Sequence, residues 1–288
     1  MIFQHDYRSW EGALSGAAEA DPTAELEAGA ILLLPRLSFD ITPAERILFS
    51  ASLASAKNVS FDPRTGQVSY ARTEGNEAGV LPGLLRRFHD ASASLVDALF
   101  PEYRGQFERG RASFRPVEVS GRVTSWRNDD TRLHVDSFFA TPVQGRRILR
   151  VFTNVNPAGR PRTWQVGEPF ERVAARFSSQ LRIPHEIRSR LLRLVRMTKS
   201  RRAPYDWLML QLHDCMKADS EYQRGAAQSA VDFPAGGTWL AFTDEVSHAA
   251  TAGQYQLEQT LVLPIGAMRQ PERSPLRILE RLKGRPLA

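Results

Sequence analysis

Between Leu81 and Phe100 apolar residues recur three or four positions apart: Leu84, Leu85, Phe88, Leu95, Val96 and Leu99. That spacing lays one apolar stripe along a helix, and Pro101, which cannot continue it, predicts its end. Thr42 to Ala56 predicts another helix, with Thr42 as N-cap and Pro43 in the first helical position. Glu25 to Leu37 passes from an acidic start to an apolar run and reads as a strand or strand pair. From about Ser113 the pattern changes to short extended segments carrying Phe114, Val117, Val119 and Val123. Arg132–Phe139, Arg146–Asn156 and Arg162–Val166 follow, each rich in β-branched or aromatic residues and separated by Gly, Pro or Asn, so each predicts a strand. Pro169 to Leu194 returns to helical spacing. Tyr205 to Tyr222 fits either a helix or a strand turning into one. Trp239–Thr243, Val246–Ala250 and Leu257–Leu263 again predict strands, and an Arg- and Pro-rich tail closes the chain.

This order predicts a mainly β fold with α: a jelly-roll core over residues 114–168 and 204–264. Helical or mixed support (1–113), a helical insertion (169–203) and a tail (265–288) surround it within one domain over 1–288. Hydrophobic residues make up 42% and charged residues 24%, ordinary for a globular chain. The single cysteine, Cys215, gives no reason to expect an oxidising compartment. No signal-peptide pattern or run of membrane-spanning length is seen, so a cytoplasmic protein is expected. The formal net charge is +6 and most basic residues are arginine. Nucleic acid, an anionic membrane surface and an acidic small substrate are all compatible with that, as is a surface charged only for solubility.

Chemistry narrows the choice. In a strand, residues i and i+2 share a face, so His134 and Asp136 in Leu133-His-Val-Asp-Ser converge, about 7 Å apart along the strand. An imidazole and a carboxylate so placed are two members of a facial triad for non-haem iron(II), and His248, in another strand-like stretch, is the best third. Such a triad leaves one face of the metal open to a bidentate 2-oxoacid and to dioxygen. His213 beside Asp214 reads as packing or capping, His89 as packing or surface solvation, and His5 and His185 show nothing chemical.

A bound 2-oxoglutarate also needs a cation for its distal carboxylate. One common layout places it shortly after the distal histidine, but Gln254, Gln256 and Gln259 stand there and no Arg or Lys appears before Arg269. The other layout uses the strands after the H-x-D pair. Arg162 fits best, with Arg147 and Arg150 as alternatives and Asn154 or Asn156 as hydrogen-bonding partners of the oxoacid.

Four segments carry a resemblance to a known family: Leu133–Phe138; Val155-Asn-Pro with Arg162-Thr-Trp-Gln-Val-Gly-Glu-Pro-Phe170; Pro204-Tyr-Asp with Leu212-His-Asp-Cys-Met-Lys217; and Phe233-Pro-Ala-Gly with Phe242-Thr-Asp-Glu-Val-Ser-His248. Together they resemble the Kdo hydroxylases of Gram-negative bacteria, from about residue 25 to 265. The resemblance implies a double-stranded β-helix, Fe(II), 2-oxoglutarate and O2, with ascorbate as a reductant in vitro. It implies hydroxylation of 3-deoxy-D-manno-oct-2-ulosonic acid (Kdo) at carbon 3 on Kdo-lipid A, giving Ko, with His134, Asp136 and His248 matching the metal triad. Trp126, Arg127, Arg132, Lys199, Arg201, Arg202 and Tyr205 are candidate substrate contacts. A basic chain without a spanning helix is expected to dock peripherally on the anionic inner-membrane surface, with no nucleic-acid partner. The alternatives are an oxygenase of the same class acting on a protein or small acid, and a non-catalytic basic binding module.

Overall fold

A computed structural model describes residues 1–11, 21–73, 75–183 and 202–288. Its strands are β1 (Ile2–Gln4), β2 (Ile31–Leu34), β3 (Val59–Phe61), β4 (Val68–Ser69), β5 (Glu108–Arg115), β6 (Arg147–Asn154), β7 (Arg162–Val166), β8 (Ser229–Phe233), β9 (Thr238–Phe242), β10 (His248–Ala252) and β11 (Gln256–Leu263). The helices are α1 (Pro22–Glu27), α2 (Asn76–Leu99), α3 (Phe170–Phe177), α4 (Pro204–Ala218), α5 (Ser220–Gly225) and α6 (Pro275–Lys283). The major sheet runs β1-β2-β9-β6-β11-β5-β3-β4 and the minor sheet β10-β7-β8. Residues 130–136 flank β10: His134 and His248 exchange both backbone hydrogen bonds (3.0 and 2.9 Å), and Ala250 N donates to Asp130 O at 2.8 Å. From β5 onward the chain passes to residues 130–136 alongside the minor sheet, β6 in the major, β7 and β8 in the minor, then β9, β10 and β11 in alternation. That alternation is a jelly roll, a double-stranded β-helix.

Period-2 alternation decides what each major strand offers the interior. Leu149 and Val151 of β6, Leu240 and Phe242 of β9 and Leu261 and Leu263 of β11 point outward, under Leu95, Val96 and Leu99 of α2. On the opposite face Phe152, Trp239 and Ala241 meet Trp164, Phe233 and Ala250 of the minor sheet, closing one end of the roll with aromatic rings. At the other end that inner face turns polar, with Arg115, Arg150, Gln256 and Glu258. Helices α3, α4 and α6 pack together against Leu133, Val135 and Ala249.

Several elements depart from the sequence reading. Thr42–Ala56 forms two 3-10 turns, Pro43–Leu48 and Ala51–Leu53, although the Thr42–Glu45 capping box does form. Helix α2 begins at Asn76 and accommodates Pro82 in its second turn. Glu25–Leu37 is the end of α1 followed by β2, and the N-terminal third contributes four strands to the major sheet besides its helices. Arg132–Phe139 makes one bridge, not a strand: beyond it Asp136 N bonds Thr243 O (2.7 Å), and Thr243–Ser247 turns away. Tyr205–Tyr222 is helical, within the range assigned to the core. The tail forms α6, capped by the Ser274 side chain and ended by Gly284 in the left-handed region. The insertion yields α3, and its residues 184–201 lie outside the described ones, as does His185.

Candidate active site

His134 and His248 stand opposite each other across their bridge, ring centroids 4.7 Å apart. The ligand atoms of His134, Asp136 and His248 all lie within 4.8 Å of one another, the only such grouping of three or more His, Cys, Asp or Glu among the described residues. Each imidazole bonds through Nδ1 to the carbonyl two residues before it, His134 to Arg132 O and His248 to Val246 O, both at 2.8 Å. A carbonyl only accepts, so Nδ1 carries the proton and Nε2 keeps a lone pair for the centre. Burial holds His134 well below the ordinary histidine range, helped by His248, and burial lowers His248 too, against the pull of Asp136. Burial would raise the Asp136 carboxyl, but Arg150, His248 and His134 hold it well below the usual carboxylate range. Two neutral imidazoles and one carboxylate make up the facial donor set characteristic of non-haem iron(II) oxygenases.

A chain of charges holds Asp136 from behind. Arg150 Nε lies 3.0 Å from its Oδ2, and the Arg150 guanidinium also grips Glu258. Glu258 accepts from Arg115 (2.8 Å), and Arg115 reaches Asp130, which Lys57 and Arg122 also contact at 2.8 and 2.9 Å. Arg150, Glu258, Arg115, Asp130 and Lys57 line a cavity of about 1480 Å³ that the two histidines and Asp136 also line. Trp164 stacks on His248 at 4.7 Å and 25° and lines the same cavity.

Arg162 lines it as well, only 2% exposed. Its Nη1 donates to Gly253 O at 2.6 Å, and no carboxylate lies within ion-pair distance of it among the described residues. Gly253 is required for this fit. Its φ is +102°, and a Cβ there would stand 2.8 Å from Pro161 O and 3.0 Å from Arg162 Cδ. Nε of Arg162, Nε1 of Trp164 and Oε1 of Gln256 are buried without a hydrogen-bond partner. Burial first, then the charge of Arg115, pulls the guanidinium down to about 10, so it stays cationic at neutral pH.

Other sequence candidates lie elsewhere. Arg147 belongs to the opposite face of β6 from Arg150, where it pairs with Asp244 (2.9 Å) and Glu245 (2.6 Å) and covers the Phe242 ring. Asn154 and Asn156 bind backbone: the Asn154 amide donates to Arg160 O and Phe233 O, and the Asn156 side chain accepts from Ala158 N, fixing the turn after β6. Tyr205 is buried in the helical cluster. Arg132 ties Asp129 to the Lys217 carbonyl. Arg202 is buried against the Phe139 and Trp207 rings. Trp126 is capped by Arg127 at 4.1 Å, and of these two only Arg127 lines the cavity. Lys199 and Arg201 lie outside the described residues.

Residues not singled out as site residues do reach it. His213, read as packing or capping, lines the cavity with its ring edge-on to His134 at 5.4 Å and its Nδ1 3.0 Å from Asp214. Trp207, Leu210, His213 and Lys217 all line the cavity at helical spacing on α4. That spacing was the signal available, had the segment been assigned as helix.

Comparison with known proteins agrees with this geometry. A family model of 3-deoxy-D-manno-oct-2-ulosonic acid (Kdo) hydroxylases matches residues 9–286. Three solved structures of the Kdo hydroxylase KdoO, a non-heme Fe(II) alphaketoglutarate-dependent dioxygenase, are similar over nearly the whole length. The complex with alphaketoglutarate and Fe(III) is 43% identical with a TM-score of 0.95, covering 100% of this chain and 97% of that one. The cobalt(II) complex gives 43% and 0.95 at 99% and 97% coverage. The complex with succinate and Fe(III) gives 42% and 0.94 at the same coverage. No curated protein matches the chain. With the family model spanning nearly all of its residues and these structures superposing on them, the chain belongs to the Kdo hydroxylase family.

Proposed function

We propose that this chain is an iron(II)- and 2-oxoglutarate-dependent dioxygenase that hydroxylates Kdo at carbon 3 on Kdo-lipid A, giving Ko. The observation that carries this reading is the cluster of two buried histidines and one half-buried carboxylate facing the cavity. His134 and His248 would hold the metal through Nε2 and Asp136 through a carboxylate oxygen. When bound, the metal supplies activation of dioxygen, which oxidises 2-oxoglutarate to succinate and CO2 and places one oxygen atom on the sugar. Arg162 binds the distal carboxylate of the oxoacid, being a buried cation on the cavity wall without a counter-charge. Arg150 and Arg115 are already engaged by Asp136, Glu258 and Asp130. Phe138, Phe152 and Trp164 exclude water from one side.

The test is reconstitution with Fe(II) under anaerobic conditions, addition of 2-oxoglutarate, ascorbate and Kdo-lipid A, then air. A product heavier by one oxygen atom, dependent on both iron and 2-oxoglutarate, is expected by mass spectrometry. Succinate formed without a heavier lipid would keep the class and discard the sugar. Neither product nor retained metal would favour a binding module.

Peripheral attachment to the anionic inner-membrane surface is part of the same proposal. No helix among the described residues is long and apolar enough to cross a membrane. The outer cavity wall carries Arg64, Arg109, Arg111, Arg127, Arg146 and Arg182, against Asp62, Glu108 and Asp214. Exposed ion pairs of this kind hold little energy and can be exchanged for phosphates. Sedimentation with anionic vesicles is expected at low salt and lost at high salt, where the screening length falls to roughly 3 Å at about 1 M. Equal binding to zwitterionic vesicles would contradict it.

A further inference from the structure

The cavity contains a second buried cation without a counter-charge. Lys217, on α4, is 2% exposed and lines the cavity. Its Nζ donates to Arg127 O at 3.0 Å, and among the described residues no carboxylate lies within ion-pair distance. The other cations of the inner cavity are engaged: Lys57 by Asp130, Arg115 by Glu258 and Asp130, Arg150 by Asp136 and Glu258. Among the described residues of the inner cavity, only Arg162 shares the condition of Lys217. Burial lowers the Lys217 ammonium, offset in part by Asp130 and Asp136, and its charge in turn acts on His134 and His248. Lys217 follows His213 by one helical turn, and His213 packs edge-on to His134, so this face of α4 borders the metal cluster.

A buried ammonium with a single carbonyl partner is costly unless an anion arrives with the ligand. The substrate's chemistry says where its anion must be. In a 3-deoxy-2-ulosonic acid the carboxyl carbon is C1, two bonds from C3, so C3 cannot reach the metal unless the carboxylate lies close by. Resting on the functional reading above, we infer that Lys217 is the specificity-determining residue that binds the C1 carboxylate of the sugar, while Arg162 serves the oxoacid. The two lone cations thereby sort two anionic ligands within one cavity.

The experiment compares Kdo-lipid A with the same lipid carrying the Kdo carboxyl as its methyl ester, using the reconstituted full-length enzyme. The primary variant is Lys217→Gln, which keeps a donor for Arg127 O and removes the charge; Lys217→Met is the second. For the unaltered enzyme kcat/KM is expected to favour the acid over the ester by roughly 10- to 100-fold, the worth of one charged hydrogen bond. In Lys217→Gln that ratio falls toward one, chiefly through KM for the acid, while 2-oxoglutarate affinity stays within about threefold. A purely structural role would depress acid and ester alike and leave the ratio intact. An unchanged ratio in a folded variant, or no preference for the acid in the unaltered enzyme, overturns the inference. Failure of the unaltered enzyme to hydroxylate either lipid overturns the functional reading instead.

Discussion

Replacing Asp136 by Asn, or His134 by Ala, is expected to abolish hydroxylation, a loss of at least about three orders of magnitude and so about 4 kcal/mol or more in transition-state free energy. Iron retained after desalting should fall in parallel. Both changes spare the fold for local reasons. His134 is held to His248 by backbone hydrogen bonds that do not involve its side chain (3.0 and 2.9 Å). Asp136→Asn keeps shape and removes only the charge, leaving Glu258 to satisfy Arg150. Because burial already keeps both imidazoles neutral, metal binding need not displace their protons near neutral pH, and affinity falls only where acid begins to protonate them. The measurements are iron content, far-UV circular dichroism and lipid mass spectrometry on the same preparations. Full activity in a folded His134→Ala protein would remove it from the ligand set.

Much of the roll was legible because its central strands carry their own signal. Arg147–Asn154, Arg162–Val166 and Gln256–Leu263 are rich in β-branched and aromatic residues and bounded by Gly, Pro or Asn. The short strands β1 and β3 exist because distant partners, β2 and β5, supply their ladder, which local pattern does not carry. Helix α4 stayed ambiguous for a related reason. Leu208, Met209, Leu212 and Met216 enter the helical core while Trp207 and Leu210 face the cavity, so both sides are apolar and the 3.6-residue period is blurred. His213 and Lys217 were missed as site residues along with it.

Within the site, residue type was legible and geometry was not. The H-x-D pair was placed on a strand, but one bridge and the Asp136 N–Thr243 O bond hold the two ligands. Arg147 and Arg150 looked equivalent until strand parity separated them. Asn154 and Asn156 looked like oxoacid partners, yet short amide side chains bind nearby backbone readily and here they do.

Arg162→Met is expected to raise KM for 2-oxoglutarate by roughly 30- to 1000-fold, about 2–4 kcal/mol, as when one partner of a buried charge pair is removed. The same substitution should not destabilise the ligand-free protein. Losing the Arg162–Gly253 O bond costs about 1 kcal/mol, but a desolvated guanidinium without a counter-charge is removed at the same time, and that penalty is several kcal/mol. The melting temperature without ligand should therefore stay level or rise. The increase that 2-oxoglutarate gives the unaltered protein, which grows with ligand concentration over Kd, should disappear at matched concentrations. A purely structural Arg162 would show the reverse, a lower melting temperature with the ligand-induced rise intact. Were Arg150 the anchor instead, Arg162→Met would keep that rise, whereas Arg150 already divides its charge between Asp136 and Glu258 and has little left for a third anion.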